Sequence, residues 1–328
     1  MKKPILSLPV LLAASLLLAA CDSEQAAVST PPEVKIPDIP EQTMSPPAFS
    51  MPDNIPVVDV RTREYTIDVQ PTMQLGWNTF RFTNDGNQVH FVAMYRITPG
   101  KTVEDQLAEV APVFDPLMDG LRSGELTKAD IGPFLVENLP AWGLQMKYIG
   151  GAGLLSPGNT TEATFQVTEP GTYLVECYVK APDGSWHTMM GMLKQVDVPM
   201  GKGVAEGPRG DVSIDVGNSG ITAPDTLTAG EHLVRVNFVE DMPGIFFGHD
   251  VHLARLADDA PPVEDIAYWM DWSNVGGLRA PAPVEFLGGV ENMFAGNHGF
   301  LKIDLEPGRY LWISELNSGQ VNKVFTVE

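Results

Sequence analysis

The chain is poor in the residues that staple small exported folds and in those that grip nucleic acid. Its 328 residues include two cysteines and six histidines, and 21 lysines and arginines face 42 aspartates and glutamates, a formal charge of −21. Two cysteines allow one disulfide at most, so no disulfide framework organises the fold. The acid excess excludes nucleic acid and anionic membrane surfaces as partners of the folded part, and it suits a basic protein partner. Long apolar runs are scarce too. The stretch from Leu6 to Ala20 is too short for a comfortable membrane span. No Ser-His-Asp arrangement can be argued. The glycines between Gly150 and Gly153 lack the strand-to-helix setting that a phosphate loop needs.

What is present begins at the N-terminus. Lys2 and Lys3 precede the apolar run, which ends in Leu18, Ala19, Ala20 and Cys21. That ending resembles the bacterial lipobox, and a charged start with a short apolar run is the pattern of an export signal. The resemblance implies a signal peptide over residues 1–20 and a lipid on Cys21. It also implies a protein anchored to the membrane by that lipid, in the bacterial cell envelope and facing the periplasm. Asp22 resembles an inner-membrane retention signal. With Cys21 lipidated, Cys177 is the one free thiol of the mature chain. Residues 21–56 then read as the lipidated cysteine and a proline-rich, disordered linker. Met44 and Met51 are too isolated there to serve as ligands.

The remainder carries an internal repeat. His90 is followed six residues later by Arg96 and then by Val103, Glu104 and Asp105; His249 is followed by Arg255 and then by Val263, Glu264 and Asp265. Tyr148 to Gly151 matches Phe286 to Gly289, and Glu169 to Leu174 matches Glu306 to Leu311. The expected domains are 57–200 and 208–328. Short β-rich runs between turn residues predict an all-β protein, two tandem Greek-key β-sandwiches with short helical insertions. The alternation over Thr161 to Val167 predicts a half-buried edge strand. Thr102 and Asp105 resemble a capping box opening a helix to Val110. Thr127 to Asn138 and Val263 to Met270 are further helical candidates.

One stretch carries chemistry. Cys177 is followed by His187 and Met192, on either side of the turn signal Pro182-Asp183-Gly184. A soft thiolate, an imidazole and a thioether are the ligand types of a blue-copper site, and the repeat offers His90 as the second imidazole. Met189 and Met190 compete with Met192 for the axial place. A two-residue turn at Asp183 and Gly184 would put His187 on the face opposite Cys177; a bulge or longer loop would bring it back. In the second copy Ser314 stands where the first has Cys177. His249 and His252 would face opposite ways on a regular strand. They read as a relic of the repeat and a surface histidine. Asp258, Asp259, Glu264 and Asp265 read as a solvated face.

The order His90, Cys177, His187, Met192 resembles the ligand order of the cupredoxins. The long Cys-to-His loop, with Trp186-His187 and Gly191-Met192, is similar to the type 1 copper loop of the two-domain copper nitrite reductases. The resemblance implies two cupredoxin-like domains, the first with one type 1-like copper, held by His90, Cys177, His187 and Met192. Glu176 occupies the position where the nitrite reductases place a histidine for their catalytic copper, and residues 91–97 offer none. Nitrite reduction is therefore not carried over. The expectation is electron transfer or copper handling in the envelope, with a redox or envelope protein as partner. The alternative is a metal-free cupredoxin-like module that binds another protein or serves a structural role.

Overall fold

The computed structural model describes residues 48–242, 247–315 and 317–328. The export signal, Cys21, Asp22 and most of the linker lie outside these residues. The first copy supplies strands β1 (Val57–Arg63), β2 (Thr66–Val69), β3 (Gly76–Asn84), β4 (His90–Arg96), β5 (Lys147–Leu155), β6 (Thr160–Val167), β7 (Gly171–Glu176) and β8 (Leu193–Val198). The second supplies β9 (Val212–Gly217), β10 (Gly220–Thr222), β11 (Thr226–Leu227), β12 (Gly230–Phe238), β13 (His249–Leu256), β14 (Glu285–Met293), β15 (His298–Leu305), β16 (Gly308–Ile313) and β17 (Asn322–Val327). Short helices are α1 (Val103–Asp105), α2 (Phe114–Ser123), α3 (Ile131–Asn138), α4 (His187–Met190) and α5 (Val263–Met270). Among the described residues no helix is long and apolar enough to cross a membrane.

The strands form two layers, as the all-β sandwich reading expects. One sheet runs β10-β9-β12-β15-β6-β3-β1-β2, and the other runs β11-β17-β16-β13-β14-β5-β4-β7-β8. Period-two patterning drives this. β1 alternates exposed and buried residues along its whole length, so Val58 and Val60 face inward. Phe80, Phe82 and Phe165 are fully buried between the layers, and Phe80 meets Phe165 edge to face at 4.8 Å. Each such ring stabilises the fold by roughly 1.5–3 kcal/mol through apolar burial.

Both sheets cross from one copy into the other without a break. On β5 and β14, Leu155 pairs with Leu287, Ala152 with Val290 and Ile149 with Met293. On β6 and β15, Thr164 pairs with Phe300, Ala163 with Leu301 and Glu162 with Lys302. In the repeat alignment Ala152 is the counterpart of Val290, and by position on their strands, each fourth of eight, Ala163 is the counterpart of Leu301. Each central pair therefore joins equivalent positions, and the flanking pairs are exchanged. That is the register of a two-fold axis, as in an isologous dimer interface. It places β6 in the middle of its sheet, between β3 and β15. The expected edge at Thr161 to Val167 is thus corrected: the strand is half-buried, with Gln166 exposed, but it is paired on both sides, and the Thr164 hydroxyl lies 2.8 Å from that of Thr79 on β3.

Other expectations are sharpened or corrected. Residues 48–56 are not free linker. Ser50 exchanges two backbone hydrogen bonds with Arg209, at 2.9 Å each, and Ile55 is buried with Trp77, Leu233 and Phe300. The Thr102–Asp105 capping box forms, but after α1 the chain widens into a π-helix over Gln106–Val110. The segment 127–138 is a short 3-10 turn followed by α3, and Val263–Met270 is helical as expected. His252 is not a surface residue; both it and His249 are buried, and β13 has register shifts on either side of Val251 and His252.

Candidate metal centre

The site residues come from three places on the first copy. His90 opens β4 and Cys177 follows the end of β7. The chain beyond Cys177 does not form a plain hairpin. A turn closes between Ala181 and Ser185, and α4 then spans one turn from His187. Gly191 leaves α4 at φ 121°, a conformation open to glycine, and β8 starts at Leu193. This one-turn helix brings His187 round to the thiol. Two backbone bonds fix the loop: Cys177 N–H donates to Met192 O at 3.1 Å, and Met192 N–H donates to His187 O at 3.0 Å.

The side chains converge. Cys177 Sγ lies 3.7 Å from His90 Nδ1 and 3.7 Å from His187 Nδ1. All three ligand atoms lie within 4.8 Å of one another. His90, Cys177, His187 and Met192 are each fully buried, whereas Met189 and Met190 are exposed. Exposure sets those two rivals outside the cluster and leaves Met192 beside it. Each imidazole turns Nδ1 inward and Nε2 outward. His187 Nε2 lies 3.1 Å from Gln88 Oε1, and His90 Nε2 lies 3.6 Å from Glu64 Oε1 without a hydrogen bond. Glu64 is in turn held by the backbone N–H groups of Asn87 and Gln88. The Tyr65 ring packs edge-on against His187, with centroids 5.0 Å apart.

Electrostatics follow burial. Loss of water brings His90 down to about 4, partly opposed by Glu64. Burial, with the neighbouring His90, brings His187 down to about 3. Burial pushes the Cys177 thiol up to about 12, opposed by the backbone N–H groups of Phe91 and Val179. Both imidazoles are thus neutral, the form that binds a metal. No matching centre occurs among the described residues of the second copy. There Ser314 donates to Asp250 Oδ1 at 2.9 Å, and His249 Nε2 lies 3.0 Å from Asn218 Oδ1.

No family model matches the chain, and no curated protein matches it. Solved structures do. Auracyanin A of Chloroflexus aurantiacus, a blue copper protein, aligns at 20% identity over 44% of this chain and 99% of its own, with a TM-score of 0.26. Auracyanin from Roseiflexus castenholzii aligns at 18% over 44% and 97%, with a TM-score of 0.24. A multicopper oxidase aligns at 15% over 87% and 94%, with a TM-score of 0.22. The two-layered β-sandwich is read from this chain's own strands. At such identities the chemistry has to be argued from this chain's own residues.

Glu64, Tyr65 and Gln88 were not among the residues singled out in the sequence. Gln88 lies in the bend before β4, and no pattern in the sequence ties it to His187. Glu64 and Tyr65 arrive from the β1–β2 turn, and nothing in the chain marks them.

Proposed function

We propose that the protein is an envelope lipoprotein that transfers electrons through one type 1-like copper site in its first copy. The geometry of the thiol and the two imidazoles carries this reading. Ligand bonds of roughly 2.0–2.3 Å spread about 120° apart would put sulfur and nitrogen about 3.7 Å from each other. The two Sγ–Nδ1 separations have that value. Met192 would be the weak axial ligand. The outward hydrogen bond from His187 Nε2 to Gln88 Oε1 fits the shell that orients ligating histidines.

A copper ion in such a site supplies a one-electron couple. The chain's own residues would keep its surroundings fixed. His90 is carried on a sheet, Cys177 and Met192 are tied by their backbones, and burial excludes water. Four protein ligands leave no open position for a substrate, which favours electron transfer over catalysis. The lipid on Cys21, the inner-membrane leaning of Asp22 and the periplasmic setting rest on the N-terminal motif. The acidic surface supports a basic redox partner.

The test is copper loading of the purified soluble part. An intense absorption band near roughly 600 nm, lost in Cys177→Ser, is the expected result. A colourless protein without stoichiometric copper would leave the metal-free protein-binding reading standing. The anchor is tested separately: Cys21→Ser should move the protein from the membrane fraction to the soluble periplasm.

A further inference from the structure

The loop between Cys177 and His187 is not held by its own copy alone. It is joined to residues 272–280 of the second copy, the stretch that follows α5. Lys180 N–H donates to Leu278 O at 2.7 Å, and Ala280 N–H donates to Lys180 O at 2.8 Å, so the two loops meet in a parallel bridge. Arg279 Nε donates to Pro182 O at 2.8 Å. The far side of the joint is fixed as well. Leu278 N–H donates to Trp269 O at 2.6 Å, and Trp269 Nε1 donates to Arg279 O at 2.7 Å, which ties the stretch to α5. Leu278 has φ 45°, a left-handed backbone that a residue other than glycine keeps only where its surroundings impose it.

Lys180 is the telling part of this joint. It is 3% exposed. Its Nζ donates to Trp272 O at 2.6 Å and to Asn274 O at 3.4 Å, and lies 4.6 Å from the centroid of the Trp186 ring. Burying an amine costs stability even when it is well bonded, and an apolar side chain would fill the space without that cost. What the lysine adds is direction: it fixes which carbonyls of the second copy the loop must meet. The link continues to the ligand. Lys180 pairs with Trp186 in an antiparallel bridge, and His187 N–H donates to Val179 O at 2.9 Å. We infer that residues 272–280 of the second copy are a clamp that holds the loop closed over the Cys177 thiol, with Lys180 as its positioning residue. The copy without a metal centre thus keeps a part in the other's. The clamp acts on the loop itself; only its effect on a copper spectrum rests on the copper reading.

The chain has two cysteines, so in full-length Cys21→Ser protein Cys177 is the single thiol. Its labelling by dithiodipyridine in the folded, metal-free state reports opening of the loop. The parent should react slowly, at a rate that low denaturant leaves unchanged, the mark of local opening. Lys180→Met, which keeps the stem and removes the donor, should react about tenfold faster, the worth of a hydrogen bond from a charged group. Arg279→Gln removes only the tie to Pro182 and should accelerate labelling in the same sense; it decides the matter if Lys180→Met does not fold. Val236→Ala, a fully buried site on β12 in the other sheet, should lower the thermal midpoint without this acceleration. Unchanged rates in the two loop variants would overturn the inference, and so would an equal acceleration by Val236→Ala. In the copper-loaded protein Lys180→Met should shift the thiolate band, and an unmoved band would overturn the positioning role. A parent that takes up no copper counts against the copper reading alone, and the labelling rates still decide the clamp.

Discussion

Gln88 decides how firmly His187 is aimed. Its amide oxygen lies 3.1 Å from Nε2, so it would hold the Nε2–H tautomer and leave Nδ1 free towards Cys177. Gln88→Leu should weaken copper binding about 10–100-fold, read by competition with a chelator, while the folded protein keeps its thermal midpoint. An unchanged affinity would mean that packing alone orients the ring. Gly86 has a related role: a methyl group there would stand 2.5 Å from Glu64 Oε1 and 3.1 Å from His90 Nε2. At this scale the four ligand candidates were legible because residue type and order restrict the chemistry. Their outer partners were not. A glutamine or a glutamate has no type-specific signal, and Glu64 reaches the site from a remote turn.

Paired strands explain what periodicity could not. The alternation of Thr161 to Val167 correctly gave a strand but not its neighbours, because alternation reports which face meets water and not whether strands pair on both sides. The glycine pairs of β5 and β14 are legible as a repeat, and their purpose shows only in the sheet. A Cβ on Gly151 would lie 2.0 Å from Val92 O, and one on Gly289 2.1 Å from Val251 O. Both have positive φ, 135° and 159°. Gly151→Ala should destabilise by about 3 kcal/mol in denaturant unfolding, well beyond an ordinary surface substitution. On β14 the next position but one is Glu291, fully buried, with neither carboxylate oxygen hydrogen-bonded. Asp250 and His252 of β13 and Glu315 beyond β16 share this interior. Burial, reinforced by Asp250, pushes Glu291 well above its ordinary 4.5. The folded state therefore keeps a proton that the unfolded chain releases above that value. The contribution of this group to stability is complete below pH 4.5 and is lost as pH rises towards its folded value, by at most ~1.4 kcal/mol per unit. Glu291→Gln should remove that slope: its stability relative to wild type should improve steadily from pH 4 to pH 8. Parallel profiles for the two proteins would show that Glu291 carries its charge when buried.

The whole molecule depends on the join between its copies. Two open sandwiches would each expose two strand edges, and unpaired edges invite association. Here β5 meets β14 and β6 meets β15, so each copy covers the other's edges in both layers. The N-terminal arm reinforces the join, since Ile55 packs against Trp77 of the first copy and Leu233 and Phe300 of the second. The repeat was readable in the sequence, but the edge-to-edge fusion was not, because pairing partners far apart in the chain leave no local pattern. The two-fold register has a consequence for the first copy taken alone. A fragment of residues 48–207 would bare the edges of β5 and β6, and a second fragment would present the same edges in the matching register, Ala152 opposite Ala152 and Ala163 opposite Ala163. Sedimentation of that fragment should show dimers or larger species rather than a stable monomer. A folded monomeric fragment would instead mean that each sandwich is stable with its edges exposed, and that fusion of the sheets serves only to fix the second copy beside the metal centre.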